Sequence, residues 1–136
     1  MSERLAGGCL CGAIRFSAVP VKPEMGVCHC SMCRKAQGSA FGANIPVPEA
    51  QFTLTRGAEA LVSYASTPDK KRCFCGTCGS PIYSALAGVP VVRLRAGSLD
   101  KPDGVVPSGH IFAASHATWH RITDDLPQHD EREPGR

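Results

Sequence analysis

The sequence predicts a single, mostly β domain, and three observations lead to this fold class. Short segments rich in β-branched residues recur along the chain and are bounded by Gly, Pro or Asp, which is typical of antiparallel strands. Signals for helices are scarce. The length of 136 residues suffices for one compact core, and no change in composition marks a domain boundary. We therefore expect one domain over residues 1–130, followed by a flexible tail over residues 131–136.

The strand signals lie in four segments: AIRFSAV at 13–19, FTLTRG at 52–57, ALVSYAS at 60–66 and VPVVRLRAG at 89–97. One short helix is predicted over Ser31–Gln37, and Gly38 would end it. Phe112 and Trp119 are large aromatic residues of the last segment, so we expect them to anchor it in the core. After Leu126 the chain carries charge and Pro with almost no apolar content, which predicts a frayed or only locally attached end.

Charge and the N-terminal segment argue against two classes of protein. The formal net charge is +3, and the basic residues are scattered apart from the run Lys70, Lys71 and Arg72. A nucleic-acid binder would show a basic patch with interleaved aromatic residues, and neither is present in the sequence. The N-terminal segment has no positive region followed by a long apolar run. We therefore expect no signal peptide, no membrane span and a cytosolic location.

Eight cysteines form three clusters along the chain. The clusters are Cys9 and Cys11 in GGCLCG; Cys28, Cys30 and Cys33 in CHCSMC; and Cys73, Cys75 and Cys78 in CFCGTC. Alternate residues of a strand face the same side, and a C-x-x-C pair does the same around a tight turn. Each cluster can therefore offer several thiolates to one tetrahedral metal ion.

Two alternatives compete with a metal site. A disulfide framework is compatible with the even number of cysteines, but the reducing cytosol opposes it. A thioredoxin-like redox pair in CFCGTC should open a helix, whereas Gly76, Gly79 and Pro81 favour a turn there. Zinc, which binds thiolates tightly and has no redox chemistry, is the favoured partner of the cysteines.

The order of five motifs resembles the glutathione-dependent formaldehyde-activating enzyme family, also called the centromere protein V/GFA domain. The motifs are GGCLCGAIRF, CHCSMCRKAQGSAF, RCFCGTCGSPIY, GSLD and HIFAASHATWHRITDDLP, and they cover about residues 6–130. The resemblance implies a β-tent fold, in which small antiparallel sheets are joined at a zinc site. It also implies two zinc ions per chain, bound by Cys9, Cys11, Cys75 and Cys78 in a closed structural site and by Cys28, Cys30 and Cys33 in a more open site.

The spacing of the first set of cysteines agrees with a structural role. Its two arms, Cys9 with Cys11 and Cys75 with Cys78, are more than sixty residues apart, so a metal ion would tie the N-terminal strand to the middle of the chain. Closing a long loop is where a cross-link gains most, and metal binding is then coupled to folding.

The second set of cysteines is typical of a catalytic zinc site. Three thiolates, from Cys28, Cys30 and Cys33, leave one position of a tetrahedral zinc free for water or an incoming ligand, as catalytic sites do. A thiol such as glutathione would lose its proton there and could add to formaldehyde or another small aldehyde, giving a hemithioacetal. The resemblance thus implies a carbon–sulfur lyase of the S-(hydroxymethyl)glutathione synthase type. A non-catalytic zinc module that binds a protein or nucleic acid is the alternative.

The identity of the fourth ligand at the second site is the main open point. Cys73 lies two residues before Cys75, so a strand would turn both thiols to one side, and eight cysteines would then make two complete sites. The family pattern does not use Cys73, and a buried free thiol is the common alternative. We predict that water or an added thiol fills this position.

The other conspicuous residues are assigned ordinary roles. His29 faces away from the metal if its segment is extended. The remaining histidines have no metal-ligand spacing to one another, and they are His110, His116, His120 and His129. Arg34 and Lys35 could hold a carboxylate of a tripeptide thiol, although a solvated helix face is the favoured role. The family pattern usually has Lys and an aromatic residue where this chain has His116 and His129, which weakens the assignment of glutathione.

Overall fold

The computed structural model describes residues 3–134, and it is mostly β, as predicted. Within this part of the chain ten strands alternate with short turns and a single α-helix. The strands are β1 (Leu5–Gly8), β2 (Arg15–Ala18), β3 (Glu24–Cys28), β4 (Gly42–Pro48), β5 (Phe52–Arg56), β6 (Leu61–Thr67), β7 (Lys70–Cys75), β8 (Pro81–Leu86), β9 (Val91–Arg95) and β10 (Val106–Ile111). Residues 135–136 of the predicted tail lie outside the described part.

The strands form two sheets. A three-stranded antiparallel sheet has the order β1-β2-β5, and a seven-stranded sheet has the order β10-β3-β4-β9-β8-β7-β6. The larger sheet departs from the predicted antiparallel pattern at one edge, where β10 runs parallel to β3. The two strands are far apart in sequence, so a long connection can bring β10 back in the same direction.

The two sheets approach each other closely where β1 meets the GSLD motif. Gly7 pairs with Leu99, and Asp100 donates its backbone N–H to Ala6. A Cβ atom at Gly7 would lie 2.2 Å from the carbonyl oxygen of Ser98, so only glycine fits this contact. The Asp100 carboxylate also forms an ion pair with Arg15 of the smaller sheet.

The core lies between the sheets. Apolar side chains of the larger sheet face those of the smaller one, and the fully buried members include Ile14, Phe16, Ile45, Val47 and Leu94. Phe52 joins the sheets through its aromatic neighbours, because its ring centroid lies 5.6 Å from that of Phe16 and 5.0 Å from that of Tyr83. The other face of the larger sheet is left for polar side chains.

The helix α1 spans Ser31–Gln37, as predicted from the sequence. Its N-cap is Cys30, whose Sγ atom accepts a hydrogen bond from the backbone N–H of Cys33. Gly38 ends the helix in the left-handed conformation, with φ of 64°. The metal-ligand cluster therefore also begins the helix. No helix in residues 3–134 has the length and apolar character that a membrane crossing requires.

The segment after β10 differs from the prediction in one respect. Trp119 was expected in the core, but 74% of its surface is exposed, because residues 113–131 run over the surface. Phe112 is half-buried and has a φ of 52°, in the left-handed region. The end of the chain is attached locally: the carbonyl groups of Pro127, His129 and Glu131 accept backbone hydrogen bonds from β10 and the residues after it.

Candidate metal centres

The first cysteine group joins the two sheets. Cys9 and Cys11 lie in the turn that follows β1, whereas Cys75 ends β7 and Cys78 lies in the turn before β8. All four Sγ atoms lie within 4.8 Å of one another. A glycine with a φ of 81° follows the last cysteine of each arm, at positions 12 and 79, and lets both turns fold back.

The sulfur geometry of this group suits a tetrahedral metal ion. The Sγ atoms of Cys9 and Cys11 are 3.6 Å apart, and those of Cys11 and Cys75 are 3.9 Å apart. Metal–sulfur bonds of about 2.3 Å would place tetrahedral sulfurs about 3.8 Å from one another. The backbone N–H of Ile14 donates to the Sγ of Cys9, and that of Thr77 donates to the Sγ of Cys75. Such donors stabilise thiolates.

The hydroxyl of Ser80 extends the donor set around the first group. It lies 3.2 Å from the Sγ of Cys78. This contact, together with the backbone N–H of Cys11, lowers the pKa of Cys78 to about 5. These donors favour the thiolate form of Cys78, which is the state that a metal ligand needs.

The second cysteine group is compact in sequence as well as in space. Cys28 is the last residue of β3, Cys30 caps helix α1, and Cys33 lies on its first turn. Their Sγ atoms also lie within 4.8 Å of one another, and Cys28 and Cys33 are buried. Within residues 3–134 this group has no fourth member among the His, Cys, Asp and Glu side chains.

The three thiols of the second group need added positive charge in order to ionise together. Hydrogen bonds with Cys28 and Cys30 hold the pKa of Cys33 far below its ordinary value. Hydrogen bonds with Cys30 and Cys33, followed by burial, hold the pKa of Cys28 far above its ordinary value. A thiolate at one of these sulfurs therefore disfavours ionisation of the next, and a bound metal cation would offset this repulsion.

Basic side chains surround the second group on the side of the larger sheet. The two terminal guanidinium nitrogens of Arg72 lie 3.8 and 3.9 Å from the Sγ of Cys33. Arg95 is 3% exposed, hydrogen-bonds to the side chain of Asn44 and interacts electrostatically with the group's cysteines. Lys70 is half-buried and also acts electrostatically on Cys33. Burial lowers the pKa of both Lys70 and Arg95.

The role of these cations was not predicted from the sequence. Lys70 and Arg72 stood out there only as part of a short basic run, and Arg95 did not stand out at all. The signal was the alternation along the strand: Lys70 and Arg72 face one side of β7, and Lys71 faces the other. Their convergence on Cys33 depends on the strand order, which the sequence does not show.

A histidine pair begins at His29, which lies between Cys28 and Cys30 in the chain. His29 is fully buried and is not a member of the metal-ligand group. Its Nε2 atom lies 2.8 Å from Nδ1 of His110, and Nε2 of His110 lies 3.0 Å from the carboxylate of Asp124. The carboxylate therefore sets His110 as the donor toward Asp124 and His29 as the donor toward His110. Burial lowers the pKa of His29 to about 4.

The remaining predicted residues are spread around the site. Cys73 is buried and belongs to neither sulfur group, and it interacts with Tyr83 across β7 and β8. Arg34 donates from Nε to the carbonyl oxygen of His29, and Lys35 is exposed. His116 is exposed, and its ring Nδ1 lies 2.9 Å from the carbonyl oxygen of Ala113.

A cavity of about 390 Å³ opens on the face of the larger sheet that also carries Cys28. Gly26 and Asn44 line it, and Cys28 lies two residues after Gly26 on the same side of β3. Lys22 and His129 also belong to its lining. The Cα atoms of Gly26 and Cys28 are about 7 Å apart along the strand, so the cavity lies near the second group.

Comparisons with known proteins agree with these sulfur groups. A family model described as glutathione-dependent formaldehyde-activating enzyme matches residues 4–115. An uncharacterized lyase of Schizosaccharomyces pombe is 34% identical over 84 residues, which are 58% of this chain and 56% of that protein. A Halomonas elongata protein, provisionally named a glutathione-dependent formaldehyde-activating enzyme, is 35% identical over 86 residues, 58% of this chain and 54% of its own length.

A solved structure supports the fold. The crystal structure of a Rhodobacter sphaeroides protein superposes with a TM-score of 0.63 and 26% sequence identity, over 76% of this chain and 98% of that one. The present chain spans about half the length of the two curated relatives described above. The family match, in contrast, covers most of the chain and includes both sulfur groups. The chain belongs to the glutathione-dependent formaldehyde-activating enzyme family.

Proposed function

We propose that this protein is a zinc-dependent carbon–sulfur lyase that joins a small thiol, such as glutathione, to formaldehyde or another small aldehyde. The observation that carries the proposal is the second group, in which Cys28, Cys30 and Cys33 converge without a fourth ligand among the described residues. The first group, with four sulfurs, is proposed as a closed structural zinc site.

The cysteines, Arg72 and the cavity have separate roles in the proposed reaction. Cys28, Cys30 and Cys33 would hold zinc, which when bound keeps an incoming thiol in its thiolate form. Arg72 keeps Cys33 ionised through its contact with Sγ. The cavity next to Gly26 has the size of a ligand pocket and provides room for a thiol the size of a small peptide.

The reaction balances without a further co-reactant. The sulfur electron pair attacks the aldehyde carbon, a C–S bond forms, and the π pair of the carbonyl moves to oxygen. That oxygen takes up the proton which the thiol lost on binding, giving a hemithioacetal. The reverse reaction breaks the same C–S bond. We place this chemistry in the cytosol, because thiolate ligands and a free thiol substrate need a reducing compartment.

The test of the proposed function is the Cys30→Ser variant. We expect a folded protein that holds about one zinc ion fewer per chain and has lost its enzyme-dependent turnover, because the second site then has only two thiolates. Exchange NMR on formaldehyde and glutathione gives the rate above the uncatalysed background. An unchanged enzyme-dependent rate in the variant would exclude this site as the centre of the reaction.

A further inference from the structure

One face of the larger sheet collects positive charge beside the second group. The strand register places Arg72 opposite Ser84, and Ser84 opposite Arg93, on the same face. Arg95 follows two residues after Arg93 and pairs with Asn44. Asn44 in turn pairs with Gly26, two residues before Cys28. The cations and the sulfurs therefore share this face.

The charges of the second group and the three cations that act on it do not cancel once a metal is bound. Three cations, Lys70, Arg72 and Arg95, act on three sulfurs that become thiolates as metal ligands. These charges balance each other, so a divalent metal ion leaves an excess of two positive charges. One added thiolate removes only half of that excess. A second anionic group is needed to complete the balance.

Buried polar atoms without a partner point to the same place. The hydroxyl of Ser84 and the Nε–H of Arg95 are buried and make no hydrogen bond within residues 3–134, and their residues are 0% and 3% exposed. The side-chain amide nitrogen of Gln37 is a third such atom, and Gln37 lies on helix α1 near Gly42, which pairs with Cys28. All three groups can donate, so an oxygen anion is the ligand that would satisfy them.

We propose that Lys70, Arg72 and Arg95 form an anion-binding subsite that takes a carboxylate held close to the sulfur of a ligand at the second group. The inference rests on the proposed function and deepens it by defining the substrate class. The closeness follows from the contact of Arg72 with the Sγ of Cys33 at 3.8 and 3.9 Å. In glutathione a peptide bond lies between the sulfur-bearing residue and each carboxylate, so its carboxylates are held less closely to the sulfur than in a small mercapto acid.

Two sources supply the required chemistry. A small mercapto acid such as mercaptoacetate carries its sulfur and its carboxylate on the same carbon. Glyoxylate gives the same arrangement once a thiolate has added to its aldehyde carbon, with the carbonyl π pair moving to oxygen and the thiol proton neutralising it. Both ligands place a carboxylate and a sulfur on one carbon centre, and the experiment below distinguishes them.

The first arm compares two thiols of similar size on the zinc-loaded protein by calorimetry. Mercaptoacetate carries the carboxylate, and 2-mercaptoethanol carries a neutral hydroxyl in its place. We expect mercaptoacetate to bind at least about tenfold more tightly. The Lys70→Gln variant should reduce this preference to about threefold or less. The ratio of the two affinities is the readout, because any effect of Lys70 on Cys33 or on a bound thiolate is common to both thiols. Lys71→Gln is the matched control, because Lys71 faces the other side of β7, and it should keep the full preference.

The second arm measures turnover of glyoxylate and of acetaldehyde with 2-mercaptoethanol as the thiol. If glyoxylate turns over faster than acetaldehyde and Lys70→Gln removes this difference, the carboxylate belongs to the aldehyde. If only the first arm shows a difference, with mercaptoacetate binding more tightly than 2-mercaptoethanol, the carboxylate belongs to the thiol. Equal affinity for the two thiols with no aldehyde preference overturns the subsite and leaves the proposed function standing. Binding of neither thiol contradicts both. Preferential binding without any turnover supports the subsite and contradicts the lyase function.

Discussion

At the scale of single residues, the two sulfur groups differ in what completes them. The first has four sulfurs and backbone donors that stabilise thiolates, such as Ile14 toward Cys9. The second has three sulfurs and a guanidinium group, that of Arg72, in contact with one of them. A complete donor set favours a structural role, whereas an incomplete one beside buried cations favours ligand binding.

Cys73→Ala tests whether the eighth cysteine takes part. We expect two zinc ions per chain to remain, because the Cys73 sulfur belongs to neither group, and a loss of stability of about 1 kcal/mol from the small cavity. X-ray absorption on the protein without added thiol should give an average below four sulfurs per metal before and after mutation. A value of four that falls on mutation would show a closed second site and a binding module.

The roles of some residues could be predicted from the sequence, whereas those of others could not. The cysteine clusters are visible in the sequence because their ligands are close neighbours, as in the segment Cys28 to Cys33. Arg95 was not foreseen, because its approach to the cysteines depends on the pairing of β9 with β4. The exposure of Trp119 was not foreseen either, since an aromatic residue is usually buried and nothing local marks this one as a surface residue.

At the scale of elements, helix α1 was predictable, whereas several strands were not. Gly38 marks the end of the helix, and the structure ends it there. Strand β4 contains Pro46 and Pro48, which normally argue against a strand in the middle of a sheet. The pairing with β3 covers only positions 42–44 of β4, so both prolines lie beyond it, where no hydrogen-bond donor is required on that side.

The contact between His29 and His110 links the residue that follows β3 to strand β10. His110→Ala should lower the free energy of unfolding by about 2–4 kcal/mol, because it leaves the buried Nε2 of His29 without a partner and opens a cavity. The affinity of the second site for zinc should also fall, since His29 lies between Cys28 and Cys30. Chemical denaturation and zinc titration measure the two effects.

His116→Ala is the control for this prediction. His116 is exposed, and the hydrogen bond described for its ring is with the nearby carbonyl oxygen of Ala113. We expect a change in stability within about 0.5 kcal/mol. Equal effects of the two substitutions would contradict a specific role for the His29–His110 contact.

At the scale of the whole molecule, the first sulfur group lies between the sheets, and a metal ion bound there would cross-link them. Cys9→Ser should release one ligand, lower the zinc content and reduce the thermal midpoint by about 10 °C or more, because a structural metal site contributes folding energy directly. Cys30→Ser provides the contrast, since it should lower the zinc content with little change in the midpoint. Wild-type zinc content and stability in Cys9→Ser would refute the structural assignment.

The positions of the ligands along the chain also set an order of assembly during synthesis. Cys28, Cys30 and Cys33 leave the ribosome almost together, so this segment can capture a metal ion while most of the protein is still unmade. The first group must wait until Cys78 has emerged, 67 residues after Cys11, and until both sheets can meet. On the proposed assignment, a metal ion of the second group would be loaded locally and early, whereas a metal ion of the first group would mark the completion of the domain.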